Sequence, residues 1–165
     1  MLSYRHAFHA GNFADVFKHT LLLQLLQALR RKDKPFCVLD THSGTGRYDL
    51  HSASAARNRE YADGIGRLWD QSELGPELRE YREQVRALNP NGELRYYPGS
   101  PRLIRALLRP DDRLILTELH PGDYPVLKAE FASDRQTAVH HADGYAVFKA
   151  FLPPAARRGL VFIDP

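Results

Sequence analysis

Two spacings of apolar residues alternate along this chain. From Phe13 to Arg30, the residues Val16, Phe17, Thr20, Leu21, Leu23 and Leu25 follow a loose helical pattern, and basic residues gather at the C-terminal end, where the helix dipole favours them. The spacing predicts a helix over 13–30, and Pro35 punctuates it. Phe36-Cys37-Val38-Leu39 is then a short continuous apolar run, the pattern of a strand buried on both faces. The same pattern returns at Leu114-Ile115-Leu116-Thr117, more weakly at Thr137-Ala138-Val139-His140, and most clearly at Leu160-Val161-Phe162-Ile163.

The stretches between these runs are helical in character. Residues 52–89 are charged, with Trp69 near the end of one segment and Pro76 opening a second that continues to Leu88. Asn89-Pro90-Asn91-Gly92 is a strong turn. Ser100-Pro101 reads as an N-cap followed by proline at the first helical position, opening a helix to Leu108. Helices are also expected from Tyr124 to Phe131, and from Asp143-Gly144 through Phe148 to Phe151, where Pro153-Pro154 breaks the pattern.

Alternating strands and helices predict an α/β fold with a mostly parallel sheet. Acidic residues fall at or just beyond the strand ends, at Asp40, Glu118, Asp143 and Asp164. Ligands of such sheets bind outside the C-terminal strand ends, so these four are expected to line one crevice.

Composition narrows the function classes. The 165 residues suit one domain with a sizeable core, and 43% hydrophobic with 26% charged residues is ordinary for a globular protein. The net charge of +3 permits a polyanion partner without requiring one. A single cysteine, Cys37, builds neither a disulfide framework nor a cysteine-rich zinc site, and its neighbours make it a small buried hydrophobe. The most apolar stretch, Leu21 to Leu26, is far too short to span a bilayer, so no membrane and a cytoplasmic location are expected. No carboxylate or cysteine pattern accompanies His6, His9, His140 and His141, so no metal is expected.

The chemistry-bearing residues point to an adenosine-type cofactor. Asp40-Thr41-His42-Ser43-Gly44-Thr45-Gly46 places an acid at a strand end and two glycines in the following turn. The three-glycine dinucleotide fingerprint is absent, and the pattern fits a sulfonium amino-acid cofactor, which carries no pyrophosphate. A carboxylate at the position of Glu118 can accept both ribose hydroxyls, and Asp143-Gly144 can meet an adenine amino group. Asp164-Pro165 offers two acceptors to the hydrogens of an exocyclic amine, which frees the nitrogen lone pair for a methyl group. The run from Tyr4 to His19 interleaves aromatic and basic residues, as a surface that stacks bases and neutralises phosphate would.

Taken together, these residues resemble the bacterial large-subunit (23S) rRNA adenine-N6 methyltransferase J family. The resemblance is carried by Leu2-Ser3-Tyr4-Arg5-His6, His9-Ala10-Gly11-Asn12, Ala14-Asp15, Lys18-His19, Lys34-Pro35-Phe36 and Leu39-Asp40-Thr41-His42. Gly46-Arg47-Tyr48, residues 94–101, Leu119-His120-Pro121 and Arg157-Arg158-Gly159-Leu160 carry it further. It implies a Rossmann-like methyltransferase domain that uses S-adenosyl-L-methionine, with a helical insertion, expected over 52–93, in a domain filling 1–165. It implies that His19, His42, Ser100, Glu118, Asp143 and Gly144 contact the cofactor, and that Asp164 sits beside it and accepts from the target amine. Tyr4, with His6 and Lys18, would contact RNA. The implied partner is 23S rRNA, free or in early assembly, and the intact protein is expected to be a monomer.

That family's catalytic motif continues with a second proline and an aromatic residue, and further strands follow. The chain is therefore expected to be an N-terminal part of a longer protein, cut after the fourth strand. A non-catalytic RNA-binding module is the alternative reading, and a nicotinamide oxidoreductase is disfavoured by the missing third glycine.

Overall fold

The structure, a computed structural model, describes residues 6–165. The chain divides into two compact units, one of residues 1–25 with 47–99, the other of residues 26–46 with 100–165. Helix α1 (Phe13–Arg30) runs through both stretches.

The second unit is built on a parallel sheet of four strands, β1 (Cys37–Asp40), β4 (Arg113–Glu118), β5 (Thr137–His141) and β6 (Gly159–Phe162), in the order β5-β4-β1-β6. All four are strands the apolar runs predict, displaced by a residue at most at either end of β1 and β6. Every residue of β1 is buried, which is why its run is apolar up to the Asp40 that closes it. Helix α5 (Ser100–Leu107) packs on β1 and β4, and α6 (Asp123–Glu130) packs on β4 and β5. Leu103, Ile104, Leu107 and Leu127 on these helices are buried, as are Val38, Leu114 and Leu116 in the sheet. The chain adds β4 and β5 on one side of β1, then returns to place β6 on the other. That reversal, between β1 and β6, is the topological switch point.

Two details depart from the sequence reading. The helix after Asp143-Gly144 is confined to α7 (Phe148–Phe151), because residues 144–147 form turns that close on Asp143 through the Ala146 amide at 3.0 Å. Ser100 does not cap α5: its hydroxyl donates to Asp40 Oδ2 at 2.7 Å instead of accepting from the helix.

The first unit holds a two-stranded antiparallel ribbon, β2 (Arg47–Asp49) with β3 (Tyr96–Pro98), and the short helices α2 (Ala53–Asn58), α3 (Ile65–Trp69) and α4 (Pro76–Arg86). Leu22, Leu23, Tyr48, Ile65, Tyr81, Val85 and Tyr97 form its core. The 89–92 turn is present, with Gly92 at φ 82° and its amide donating to Asn89 at 2.9 Å. Within α1 the buried face differs from the apolar pattern. Phe17, Leu21 and Leu25 are exposed, whereas Asp15 and His19 are buried beside Leu22 and Leu23. Polar residues can occupy that face because each finds a partner there.

Candidate functional site

The acidic strand ends of the second unit organise the loop between them. Asp40 closes β1 and is 1% exposed. Its Oδ2 accepts from Ser100 at 2.7 Å, and its Oδ1 accepts from the His42 amide at 3.4 Å. Burial pushes its carboxyl up to about 7. The negative charges of Asp164 and Glu118 add to that shift, and the Ser100 and His42 hydrogen bonds oppose it.

The turn after Asp40 is fastened to the neighbouring strands. The amide and the hydroxyl of Thr41 both donate to the Phe162 carbonyl, each at 3.1 Å, which ties β1 to β6. The Thr117 hydroxyl donates to the Thr41 carbonyl at 2.8 Å, and the Ser43 amide donates to the Thr117 carbonyl at 3.1 Å, which ties it to β4. Gly44 and Gly46 then take positive φ, 59° and 79°, as the two-glycine turn requires. The Gly44 amide donates to Glu118 Oε2 at 2.8 Å, and the His120 amide donates to Oε1 at 2.6 Å. Glu118 thus holds the glycine turn and its own loop together, and each oxygen keeps a second lone pair.

Asp143 and Gly144 follow β5. Asp143 is exposed, and its Oδ1 accepts from the Tyr145 amide at 2.8 Å. Gly144 is buried against Thr41, where an added Cβ would overlap the Thr41 carbonyl oxygen. The His42 and Tyr145 rings meet edge to face, with centroids 5.1 Å apart. Asp164 lies two residues beyond β6 and acts electrostatically on Asp40 across the switch point. So Asp40, His42, Ser100 and Gly144 are joined through direct contacts or one intermediate residue, and the charge of Glu118 acts on Asp40.

In the first unit, Tyr4 lies outside the described residues. His6 and Lys18 meet at one buried acid: Asp15 takes His6 Nε2 at 2.9 Å, Lys18 Nζ at 3.2 Å and the Gly11 amide at 2.8 Å. Burial alone would raise the Asp15 carboxyl. The hydrogen bond and charge of His6, the charge of His19 and the Gly11 amide outweigh it and hold the group well below the usual carboxylate range. His19 Nδ1 shares a hydrogen bond of 2.7 Å with the Tyr97 hydroxyl, which pairs with Tyr81 at 2.9 Å. Both phenols are pushed up by burial.

Sequence reasoning assigned no role to Asp15. It also treated Asp40 as one strand-end acid among four, and gave Thr41 no role of its own within the glycine-turn motif. The signal for Asp40 was present, because a carboxylate that closes a strand buried on both faces is itself drawn out of water.

Among the described residues no cluster of histidine, cysteine and carboxylate side chains is arranged to hold a metal ion, and no helix is long and apolar enough to cross a membrane.

With this geometry in place, comparison with known proteins is specific. Over its full length the chain is 56% identical to Ribosomal RNA large subunit methyltransferase J of Escherichia coli and 52% identical to the protein of the same name in Haemophilus influenzae. It spans 59% of the length of each of these relatives. A crystal structure of a Legionella pneumophila protein superposes with a TM-score of 0.87 at 46% identity, covering 95% of this chain and 58% of that one. The family profile for Ribosomal RNA large subunit methyltransferase D, RlmJ, matches residues 33–165, and the chain belongs to that family.

Proposed function

We propose that this chain carries the cofactor-binding half and the amine-polarising acid of an enzyme that transfers methyl from S-adenosyl-L-methionine to the exocyclic N6 of an adenine in 23S rRNA. The observation that carries the reading is Asp40. It is buried at the switch point, and the groups acting on it are a hydroxyl, an amide and two further carboxylates, with no cation among them. Such a site is complemented by a positively charged ligand. A sulfonium amino acid joined to an adenosine fits it, because Glu118 has lone pairs to spare for ribose hydroxyls and Asp143 is open to an adenine amino group.

Bound there, the cofactor supplies an electrophilic methyl group on a positively charged sulfur. The chain's own residues do the rest. The Gly44–Gly46 turn admits the ligand close to the backbone, and Glu118 fixes that turn. Ser100 and His42 hold Asp40, and would meet the amino-acid end of the cofactor. Asp164 and the Pro165 carbonyl accept the two hydrogens of the adenine amine, which localises the nitrogen lone pair for in-line transfer. His19 is given to the cofactor on the strength of the sequence resemblance, with Tyr97 orienting its ring. Tyr4, His6 and Lys18 are assigned to the RNA, and residues 52–93 to an inserted helical element. A cytoplasmic, metal-free monomer acting on naked or early-assembly rRNA completes the reading.

Calorimetric titration of S-adenosylhomocysteine into this chain tests the pocket, and methylation of unmodified 23S transcript by the longer protein tests the reaction. Saturable one-to-one binding and loss of transfer in Asp164→Ala, with unchanged folding, are expected. Full activity of Asp164→Ala would remove the assigned role. RNA binding with no cofactor affinity would favour a non-catalytic RNA-binding module.

A further inference from the structure

Arg59 has φ 51° and ψ 31°, in the left-handed region that side-chain-bearing residues rarely use. The fold requires that conformation. The Arg59 amide closes α2 on the Ala55 carbonyl at 2.9 Å, and its carbonyl accepts from the Ala62 amide at 3.0 Å. One left-handed residue therefore ends α2 and starts the 3-10 turn Glu60–Asp63. The turn delivers Glu60, whose carboxylate takes His9 Nδ1 at 2.9 Å and Asn12 Nδ2 at 3.0 Å. Beyond it the Ile65 amide donates to Gly11 at 2.9 Å, and Gly64 packs so closely on Gly11 and Asn12 that no Cβ would fit.

None of these contacts uses the Arg59 side chain. Glycine is the residue a left-handed helix terminus favours, and asparagine the next. An arginine held there at a conformational cost points to a use for its side chain. Arg59 and Arg57 are both exposed, and among the described residues neither guanidinium has a hydrogen-bond, ionic or ring partner. Their neighbours differ: Arg67 pairs with Asp63, and Arg86 with Trp69 and Glu83. Helix α2, which carries Arg57 and is capped by Arg59, packs on the turn His6–Phe8, part of the segment assigned to RNA.

We infer that Arg57 and Arg59 form a phosphate-binding edge that grips the RNA backbone beside the His6 segment. This rests on the RNA substrate proposed above. A guanidinium presents a planar fork of donors that matches phosphate oxygens, and a backbone contact positions RNA without reading its sequence.

The test is fluorescence anisotropy of a labelled, unmodified large-subunit rRNA transcript with this chain, titrated across salt, beside thermal unfolding of the same proteins. Arg59→Gly is expected to melt higher than wild type, because glycine relieves the left-handed strain, yet to bind RNA several-fold more weakly. Its plot of log affinity against log salt should be shallower by about one. Arg57→Ala should flatten the slope by a similar amount, and Arg59→Lys should keep the wild-type slope. A stabilised Arg59→Gly with wild-type affinity and slope would overturn the inference, as would an Arg59→Gly that melts lower. A wild-type chain that binds no RNA would instead refute the substrate reading beneath it.

Discussion

The hydroxyl of Ser100, at the start of α5, donates to Asp40 Oδ2 at 2.7 Å, at the end of β1. That bond favours the ionised carboxylate, while burial favours the protonated one, and burial prevails. Asp40 therefore keeps its proton in the folded chain up to about pH 7, whereas the unfolded chain loses it near 3.8. Between these values the folded state binds more protons, so Asp40's contribution makes stability fall as pH rises and levels off above about 7. The slope is at most roughly 1.4 kcal/mol per pH unit. Urea unfolding of wild type and Asp40→Asn at several pH values checks this: the variant should gain on wild type from pH 4 to 8. A difference constant with pH would mean that Asp40 ionises normally. Ser100→Ala removes a donor to the charged form and should extend the fall to higher pH.

Gly144 gives a second test at the same sheet edge. An added Cβ would overlap the Thr41 carbonyl, which is itself held by Thr117 at 2.8 Å, so neither partner can yield cheaply. Gly144→Ala should destabilise the chain by about 1–3 kcal/mol, as overpacking does, and should weaken S-adenosylhomocysteine binding. Gly92→Ala is the control. It sits at φ 82° with nothing within 4 Å of the added Cβ, so it should cost about 1–2 kcal/mol from strain alone and leave ligand affinity unchanged. Equal ligand affinities for the two variants would sink the role given to the Thr41–Gly144 contact.

What the sequence made legible followed from burial on two faces. β1, β4, β5 and β6 were readable because apolar runs of this length, bounded by turn or charged residues, have one economical place in an α/β sheet. The acids at their ends were readable for the same reason, since position along a parallel strand fixes which edge they reach. The β2–β3 ribbon was not. Its strands have three residues each and pair Arg47 with Pro98 across the intervening helices, so no local period announces them. The face of α1 was also illegible, because Asp15 and His19 are buried through partners at His6 and Tyr97, while Phe17 and Leu21 are left exposed. Ser100 beside Pro101 had the composition of a cap, and only the tertiary position of Asp40 diverts its hydroxyl.

The same tertiary dependence makes Asn89 a stability determinant. Its Nδ2 donates to the carbonyls of Val85 at 2.9 Å and Tyr96 at 2.7 Å, and its Oδ1 accepts from the amides of Arg95 at 2.9 Å and Tyr96 at 2.8 Å. One buried amide thus templates the return from α4 to β3. Asn89→Ala leaves those backbone groups without partners and should cost about 2–4 kcal/mol. Asn89→Asp keeps the acceptor but loses the donor, so it should fall between. Chemical denaturation of the three proteins checks the order, and a neutral Asn89→Ala would show that water replaces the side chain at little cost.

Asp15 predicts a pH response of opposite sign to that of Asp40. Its carboxyl is held below the usual range by His6, His19 and the Gly11 amide, so the folded chain stays ionised where the unfolded chain takes up a proton. The stabilisation is full above the unfolded value of 3.8 and is lost as pH falls below it. Because Asp15 is 0% exposed and binds both His6 and Lys18, Asp15→Asn at neutral pH should cost about 3–5 kcal/mol, as breaking a buried charge pair does. Lowering the pH toward 3 protonates this acid in the unfolded chain while the folded chain keeps it ionised, so wild type loses stability and the gap between wild type and Asp15→Asn should narrow there. The gap between wild type and Asp40→Asn should instead change between pH 4 and 7. Unfolding midpoints of the two variants over pH 3–8 separate the contributions. If the Asp15→Asn gap held constant down to pH 3, the carboxylate's charge would have no part in holding His6 and Lys18, and its hydrogen-bond geometry alone would account for the cost.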